Sequence, residues 1–457
     1  MKKPNILFIL ADDMGYGDFG TFNDQMTCTP CLDELVKEGV TFSNCYSSSP
    51  VCAPARASIM TGRYPQRTGV IDTLEYRGTD RLKLNEVTMG DVFKANGYDT
   101  ALIGKWHLGC FDKSYHPNKR GFDYFYGFTG GWSDFYDYKT LQRNGETLPC
   151  RGDYMTDLFT QEAIEYVKAK RDKPFLLHLA YNAPHFPFQA PEDLIEKYHS
   201  TGKYTRAVST IYAMIEVMDK GIGKVVDALR ESGKLEDTIV VFASDNGPEL
   251  WGEGESNTNR YNADLRGYKN LVWEGGIKVP ALVYWKGKTL QGHTNHSLVN
   301  HMDWLPTFMS MAEIEFDFKK DIDGRNISSC MKGDLLKDVD MFWQWSRYHP
   351  IVEGNAAVRS DGYKLLNPAI EALHIKCLKL DSDLDDDVKA FPEKYTDILD
   401  LETPKLQTPC PDTHVFNLKD DPHEKVNLYG RNKLRDKMLE EKLDDWFSSV
   451  EDDRINN

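Results

Sequence analysis

Two short apolar runs, far apart in the chain, constrain its fold more than any other feature. Pro4-Asn5-Ile6-Leu7-Phe8-Ile9-Leu10 runs into Ala11-Asp12-Asp13-Met14-Gly15, and Thr238-Ile239-Val240-Val241-Phe242-Ala243 runs into Ser244-Asp245-Asn246-Gly247. Neither alternates apolar with polar residues, so each reads as a strand of a parallel sheet buried on both faces. Ligand sites in such sheets gather at the carboxyl ends of the strands. Two acidic clusters at two strand ends can therefore converge. Three carboxylates and one amide oxygen are hard donors, suited to calcium or magnesium rather than to a thiolate-loving metal. Either pair alone is equally well read as turn and cap residues. It is the presence of both that points to a metal.

The rest of the chain extends this pattern. Strand-like runs at residues 100–103 and 175–180 alternate with helical patterns at 87–96, 158–169, 208–230 and 303–311. Such alternation predicts an α/β sandwich, a large mostly parallel mixed sheet between helices, over residues 1–340. From about residue 341 the texture changes. Ala356-Ala357-Val358-Arg359, a Ser360-Asp361-Gly362 turn and Tyr363-Lys364-Leu365-Leu366 read as a hairpin. A further strand at 415–418 and a helix at 433–450 complete a smaller antiparallel α+β subdomain over residues 341–457. The acidic stretch 378–402 is expected to be an irregular solvated loop or lid.

Charge and cysteine usage exclude other classes. The 457 residues carry a net charge of −16, which argues against nucleic-acid partners, since those favour basic surfaces. No apolar run reaches the length of a membrane span. The chain enters its first core strand directly after Met1-Lys2-Lys3, so no signal peptide is expected. Nine cysteines (Cys28, Cys31, Cys45, Cys52, Cys110, Cys150, Cys330, Cys377, Cys410) are an odd number without regular spacing. They suggest free thiols in a reducing, cytoplasmic compartment, with a trimmed secreted or periplasmic form as the alternative. Cys28 and Cys31 have redox or zinc spacing but no second pair. Thr29-Pro30 reads instead as the start of a helix that runs to Glu38 and ends at Gly39.

The segment Cys52-Ala53-Pro54-Ala55-Arg56, continued by Ala57-Ser58-Ile59-Met60-Thr61-Gly62-Arg63-Tyr64-Pro65, resembles the signature of the formylglycine sulfatases, arylsulfatase-like members of the alkaline phosphatase superfamily. Most members carry serine where this chain has Ala55. Gly104-Lys105-Trp106-His107-Leu108-Gly109, Asn182-Ala183-Pro184-His185-Phe186-Pro187 and Leu265-Arg266-Gly267-Tyr268-Lys269-Asn270 resemble the family's other active-site segments. The resemblance implies an alkaline phosphatase-like fold and a sulfuric ester hydrolase. It implies that a modifying enzyme converts Cys52 to formylglycine, an aldehyde whose hydrate attacks sulfur. It places Asp12, Asp13, Asp245, Asn246 and the modified Cys52 around a divalent cation, usually calcium, with magnesium as the alternative. Lys105 and Lys269 would face the sulfuryl oxygens and Arg56 would hold the hydrate. His185, with Lys269, would protonate the leaving group, and His107 would take a proton so that sulfate is expelled and the aldehyde regenerates. The cysteine would stand near the N-terminus of a helix through residues 58–60, whose dipole favours an anion there.

Substrate recognition is expected from the loops. Trp132, Asp134, Tyr136 and Tyr138, with Trp345, Arg347 and His349, mix aromatic and polar groups as a sugar site does, although aromatics equally anchor interfaces. The segment from His116-Pro117 to Arg120-Gly121-Phe122-Asp123 resembles those of carbohydrate-desulfating members. The expected substrate is a small-molecule or oligosaccharide sulfate ester, such as a galactose or N-acetylgalactosamine sulfate. The alternatives are a phosphodiesterase or phosphonate monoester hydrolase of the same superfamily, and a non-catalytic carbohydrate-binding protein with Cys52 unmodified.

Overall fold

The computed structural model describes residues 3–23, 28–370, 375–404 and 412–456. Its centre is the Asn5–Ala11 strand, flanked in parallel by Phe175–Ala180 on one side and Thr238–Ser244 on the other. Asp99–Lys105 pairs in parallel with Phe175–Ala180, and Tyr124–Phe128 with Asp99–Lys105. Short antiparallel strands extend both sides to give a ten-stranded mixed sheet.

The apolar runs are continuous because both faces of this sheet are covered. Leu7, Ile9 and Ala11 point into one core, and Ile6, Phe8 and Leu10 into a second, all fully buried. The first core lies beneath the helices Met155–Lys168 and Arg206–Glu231, and the second beneath Cys52–Thr61, Met89–Ala95 and Trp304–Met311. Each of these leucine, isoleucine and phenylalanine side chains contributes about 1.5–3 kcal/mol on burial. No described helix is long and apolar enough to cross a membrane.

The second sheet is antiparallel, with strands Met341–Gln344, Ala356–Ser360, Tyr363–Asn367 and His414–Asn417 in spatial order. The Lys433–Asn456 helix packs on it, Trp446 stacking on Phe342 at 5.2 Å. Buried Lys364 on this sheet bonds Glu274 (3.0 Å) and Glu424 (2.9 Å), and Trp343 donates to the Ser47 carbonyl (2.7 Å). These contacts tie the small sheet to segments that border the site.

Two local expectations change. The acidic stretch is not irregular: Lys379–Ala390 is a helix, followed by a 3-10 turn at Pro392–Lys394. Its anchor is partly polar: Val388 and Leu384 join a small apolar cluster with Leu74, Tyr76 and Tyr348, and a buried carboxylate does the rest. The buried Asp381 carboxylate accepts from Tyr76, Arg77 and Tyr348, while Lys379 and Lys389 pair with Asp383 and Asp385 one turn along. The helix expected at residues 58–60 also begins earlier and spans Cys52–Thr61.

The eight described cysteines are free thiols; Cys410 lies outside the described residues. Cys31 heads the Pro30–Glu38 helix, where its N–H and that of Leu32 donate to the Asp219 carboxylate. Burial pushes the Cys31 thiol up to about 12 and the Cys28 thiol well above its ordinary value. Neither is a reactive thiolate.

Candidate active site

Four segments that follow adjacent parallel strands meet at one end of the sheet. Asp12 and Asp13 follow Asn5–Ala11, and Asp245 and Asn246 follow Thr238–Ser244, Ala11 standing in register with Ser244. Lys105 ends its strand, with His107 just beyond, and His185 follows Phe175–Ala180. A close backbone approach brings in the last segment. Gly247 N–H donates to the Gly276 carbonyl at 2.9 Å, and a Cβ on Gly247 would stand 2.0 Å from the Gly275 oxygen. Lys269 N–H donates to the Pro248 carbonyl, which sets its side chain over the site.

Cys52 is the first residue of its helix. Pro54 falls in the first turn, where its missing N–H costs nothing, and Gly62 closes the helix at φ +69°. Cys52 Sγ lies 3.3 Å from His107 Nδ1. His107 Nε2 lies 3.4 Å from the Thr73 carbonyl, a pure acceptor, so Nε2 carries the proton and Nδ1 presents a lone pair to residue 52. His107 and Asp13 both hold left-handed backbone, at φ +57° and +63°, a cost of order 1–3 kcal/mol each that the surrounding packing must offset.

A network of charges surrounds the cysteine. Lys105 Nζ donates to Asp12 Oδ2 (2.7 Å) and Lys269 Nζ to Asp13 Oδ2 (2.6 Å). Asn246 Nδ2 donates to Asp13 Oδ1 (2.7 Å), and the Asp13 N–H to Asp245 Oδ1 (3.1 Å). Arg56 gives Nε and Nη2 to Asp245 Oδ2 (3.1 and 2.8 Å) and Nη1 to the Lys105 carbonyl (3.2 Å). Its donors therefore organise the carboxylates beside residue 52, which here is the unmodified cysteine rather than the hydrate that the resemblance implies.

Two buried oxygens, Asp12 Oδ1 and Asn246 Oδ1, have no hydrogen-bond partner among the described residues, the Arg56 guanidinium standing 3.5 Å from the first as an ion pair only. Orphaned acceptors of this kind carry a desolvation cost unless a cation meets them. Burial, with Asp12 alongside, pushes Asp245 up to about 6 against the pull of Arg56 and Lys105. Asp13 differs: burial would raise it, but Lys269, His185 and Lys105 together hold it well below the carboxylate range. Ligand atoms of Asp12, Asp13 and His185 lie within 4.8 Å of one another. This donor set fits a hard divalent cation, with His185 placed nearer to it than the sequence reading assigned.

Electrostatics also revise the histidines. Burial, then the neighbouring cations, hold both rings well below their ordinary value, Lys105 and Arg56 acting on His107 and Lys269 on His185. His185 Nδ1 is 2.5 Å from the Phe186 carbonyl, so it carries the proton and leaves Nε2 bare, 3.7 Å from Asp13 Oδ2. Burial would lower Lys269, but Asp13, Glu249, residue 52 and Asp12 together hold it well above its usual range. Burial raises the Cys52 thiol against the pull of Lys105 and Lys269.

Cys52, His107, His185 and Lys269 line a cavity of about 170 Å³, with Glu75, Trp132, Glu249, Arg347, Asp385 and Lys389 at its walls. Trp132 and Arg347 were expected here; Glu75, Glu249, Asp385 and Lys389 were not. No local motif marks them, and only the folding of the 379–390 helix over the site brings the last two in. Tyr138 and Trp345 are buried in packing clusters. His116 and Arg120 do not line the cavity; Arg120 spends its donors on the Leu82, Lys83 and Glu86 carbonyls.

Comparisons with known proteins agree with this geometry. The family model described as Sulfatase matches residues 4–314, and that described as N-sulphoglucosamine sulphohydrolase, C-terminal matches residues 267–398. The uncharacterized sulfatase YdeN of Escherichia coli (strain K12) is 34% identical over 373 residues, covering 70% of this chain and 65% of the relative. The N-acetylgalactosamine-6-sulfatase of Homo sapiens is 31% identical over 367 residues, covering 75% of this chain and 68% of the relative. The chain thus spans about two thirds of the length of these relatives. The crystal structure of Ps i-CgsB in complex with k-i-k-neocarrahexaose superposes with a TM-score of 0.80 at 29% identity, covering 98% of this chain and 93% of that one. With a family model matched across most of its length and the same fold in a solved neighbour, this chain belongs to the sulfatase family.

Proposed function

We propose that this protein hydrolyses sulfate esters of carbohydrates. Residue 52 would act as formylglycine, installed by a modifying enzyme, beside a calcium or magnesium ion held by Asp12, Asp13, Asp245 and Asn246. The observation that carries the reading is the placement of Cys52, at a helix N-terminus on the floor of a cavity, 3.3 Å from a neutral histidine nitrogen and ringed by paired lysines and carboxylates. The carbohydrate preference is supported by Trp132 in the cavity wall and by the printed names of the relative and the neighbour.

The aldehyde hydrate and the cation supply a nucleophilic oxygen and a Lewis acid when present. The chain's own groups do the rest. Lys105 and Lys269 hold fixed positive charge where the sulfuryl oxygens bind, without reorganisation during reaction. The helix dipole at residue 52 favours the same anion. Nδ1 of His107 faces residue 52 unprotonated and takes its proton. Nε2 of His185 must first gain a proton before it can give one to the leaving oxygen. The charge of a bound sulfate ester favours that gain, because it offsets Lys269.

The test is tryptic mass spectrometry of protein made in a host with the modifying machinery, run beside initial rates on 4-nitrophenyl sulfate and 4-nitrophenyl phosphate. The peptide containing residue 52 is expected as aldehyde or hydrate, and the sulfate ester as the better substrate. Fully active protein carrying only free thiol overturns the mechanism, and a preference for the phosphate overturns the activity.

A further inference from the structure

The catalytic cavity, at about 170 Å³, is smaller than the roughly 300–1,000 Å³ of ordinary ligand pockets. It has room for the reacting end of a glycan and little more. Two features leave it, both touching Trp132, and the mechanism uses neither.

The first is a chamber of about 630 Å³ that shares Glu75, Trp132 and Lys389 with the catalytic cavity. Residues 129–147 and the 386–395 part of the acidic stretch wall it, with Phe111 and Tyr395 as its aromatic surfaces. Glu75, Asp134, Asp137, Asp386 and Glu393 face two lysines there. Both lysines are engaged. Lys389 pairs with Asp385 and sits over the Trp132 ring at 4.8 Å, and Lys139 donates to the Ala390 carbonyl at 3.3 Å. The chamber is therefore acidic. Carboxylates accept well from sugar hydroxyls and repel a second sulfate or a uronate.

The second is an aromatic ridge. Trp132 meets Phe186 edge-on with ring centroids 6.4 Å apart, and Phe186 meets Phe188 at 5.7 Å and Trp251 at 6.5 Å. Phe186 and Trp251 are 43% and 45% exposed, and exposed apolar surface of this kind marks a contact site. The ridge is continuous with the cavity. Phe186 follows His185, and Trp251 stands two residues past Glu249, both of which line it.

We infer that the substrate is an oligosaccharide that crosses the catalytic cavity, with an uncharged sugar next to the sulfated one in the chamber and a further ring stacked along Phe186 and Trp251. This rests on the sulfatase reading above. It implies attack on a sulfate within a chain rather than on a lone monosaccharide, and rejection of a neighbour that is itself sulfated.

The experiment compares kcat/KM for 4-nitrophenyl sulfate, for galactose and N-acetylgalactosamine 6-sulfates, and for trisaccharides carrying the same sulfated residue between unsulfated sugars. A second trisaccharide set bears an additional sulfate on a flanking sugar. The singly sulfated trisaccharides should exceed their parent monosaccharides by about ten-fold or more, and the doubly sulfated ones should fall behind. Trp251→Ala, at an exposed position that leaves the core untouched, should cost about 3- to 10-fold more on the trisaccharides than on 4-nitrophenyl sulfate, the value of one aromatic contact. Glu393→Lys should narrow the gap between singly and doubly sulfated trisaccharides. Turnover of 4-nitrophenyl sulfate with no trisaccharide cleaved faster than its monosaccharide overturns this inference and leaves the sulfatase reading standing. Equal losses for Trp251→Ala on all substrates also overturn it. Wild-type protein with residue 52 in aldehyde form that fails on 4-nitrophenyl sulfate removes the underlying reading and this inference with it.

Discussion

The floor of the catalytic cavity and its rim are held by different forces. Asp12, Asp13, Asp245, Asn246, Cys52, Arg56, Lys105 and His107 are all 0–3% exposed and sit on strand ends, just beyond them, or on a wholly buried helix. Their positions follow from sheet register, such as Ala11 opposite Ser244 and Gly104 opposite Ala180. The rim is hung from polar contacts. The 379–390 helix is fastened by the Asp381 carboxylate, shared by Tyr76, Arg77 and Tyr348, and by a small apolar cluster through Leu384 and Val388. The difference teaches that the reaction and the choice of substrate are mechanically separable here. The floor cannot move without disturbing the sheet, whereas the rim can loosen while the chemistry remains.

Three experiments would break or sharpen that contrast. Removing the cation should have the largest effect. Exhaustive chelation, checked by elemental analysis, should abolish measurable turnover on every substrate. It should also lower the Tm, since buried carboxylates lose their counter-charge. If neither rate nor Tm changes, the orphaned Asp12 and Asn246 oxygens have another explanation.

His185→Ala comes next and divides the floor itself. General acid catalysis contributes about 10²–10⁴-fold, so the variant should lose that much on a sugar sulfate and much less on 4-nitrophenyl sulfate, whose phenolate needs little help. Equal loss on both would mean that His185 serves the cation or the sulfate, and the proton would then come from Lys269.

Asp381→Ala should have the smallest effect and confine it to the rim. It leaves Arg77 without its buried partner and frees the helix. KM for oligosaccharides should rise several-fold and limited proteolysis should cut within residues 379–402, while kcat on 4-nitrophenyl sulfate changes less than about two-fold, as expected for a contact remote from the chemistry. Burial alone would raise Asp381, but Arg77 and the two tyrosines more than offset it and hold the carboxyl below its ordinary value. Its contribution is thus present above the unfolded value of about 3.9 and is lost only as pH falls through the lower folded value. Protection of the helix should accordingly be flat from pH 5 to 8. A floor that fails together with the rim in Asp381→Ala would show that the two regions are coupled after all.

Much of the floor was legible in the sequence because its signals are local. A double-faced apolar run followed by Asp-Asp or Asp-Asn names both a buried strand and the donors at its end. Cys52, Pro54 and Arg56 stand at fixed spacing on one helix turn, and Gly104, Gly247 and Gly276 lie where the backbone must approach closely. Even so, the partners of these residues were not readable. Arg56 gives its donors to Asp245, and His185 turns a bare nitrogen toward Asp13. Those facts depend on side-chain direction in a crowded site.

The rim was written in no comparable code. Glu75, Glu249, Asp385 and Lys389 occupy ordinary loop and helix positions, and in the acidic stretch the apolar period of Leu380, Leu384 and Val388 is short and outnumbered by carboxylates. What the sequence by itself determined was the order of strands and helices, the residue types at the strand ends and hence the class of chemistry, since burial periodicity and short-range spacing are properties of the chain alone. What only the tertiary structure decided was which charges pair, which histidine nitrogen carries its proton, and how a helix pinned by a buried carboxylate and a small apolar cluster shapes the space beside the catalytic cavity, because these arise from long-range contacts that spacing along the chain does not encode.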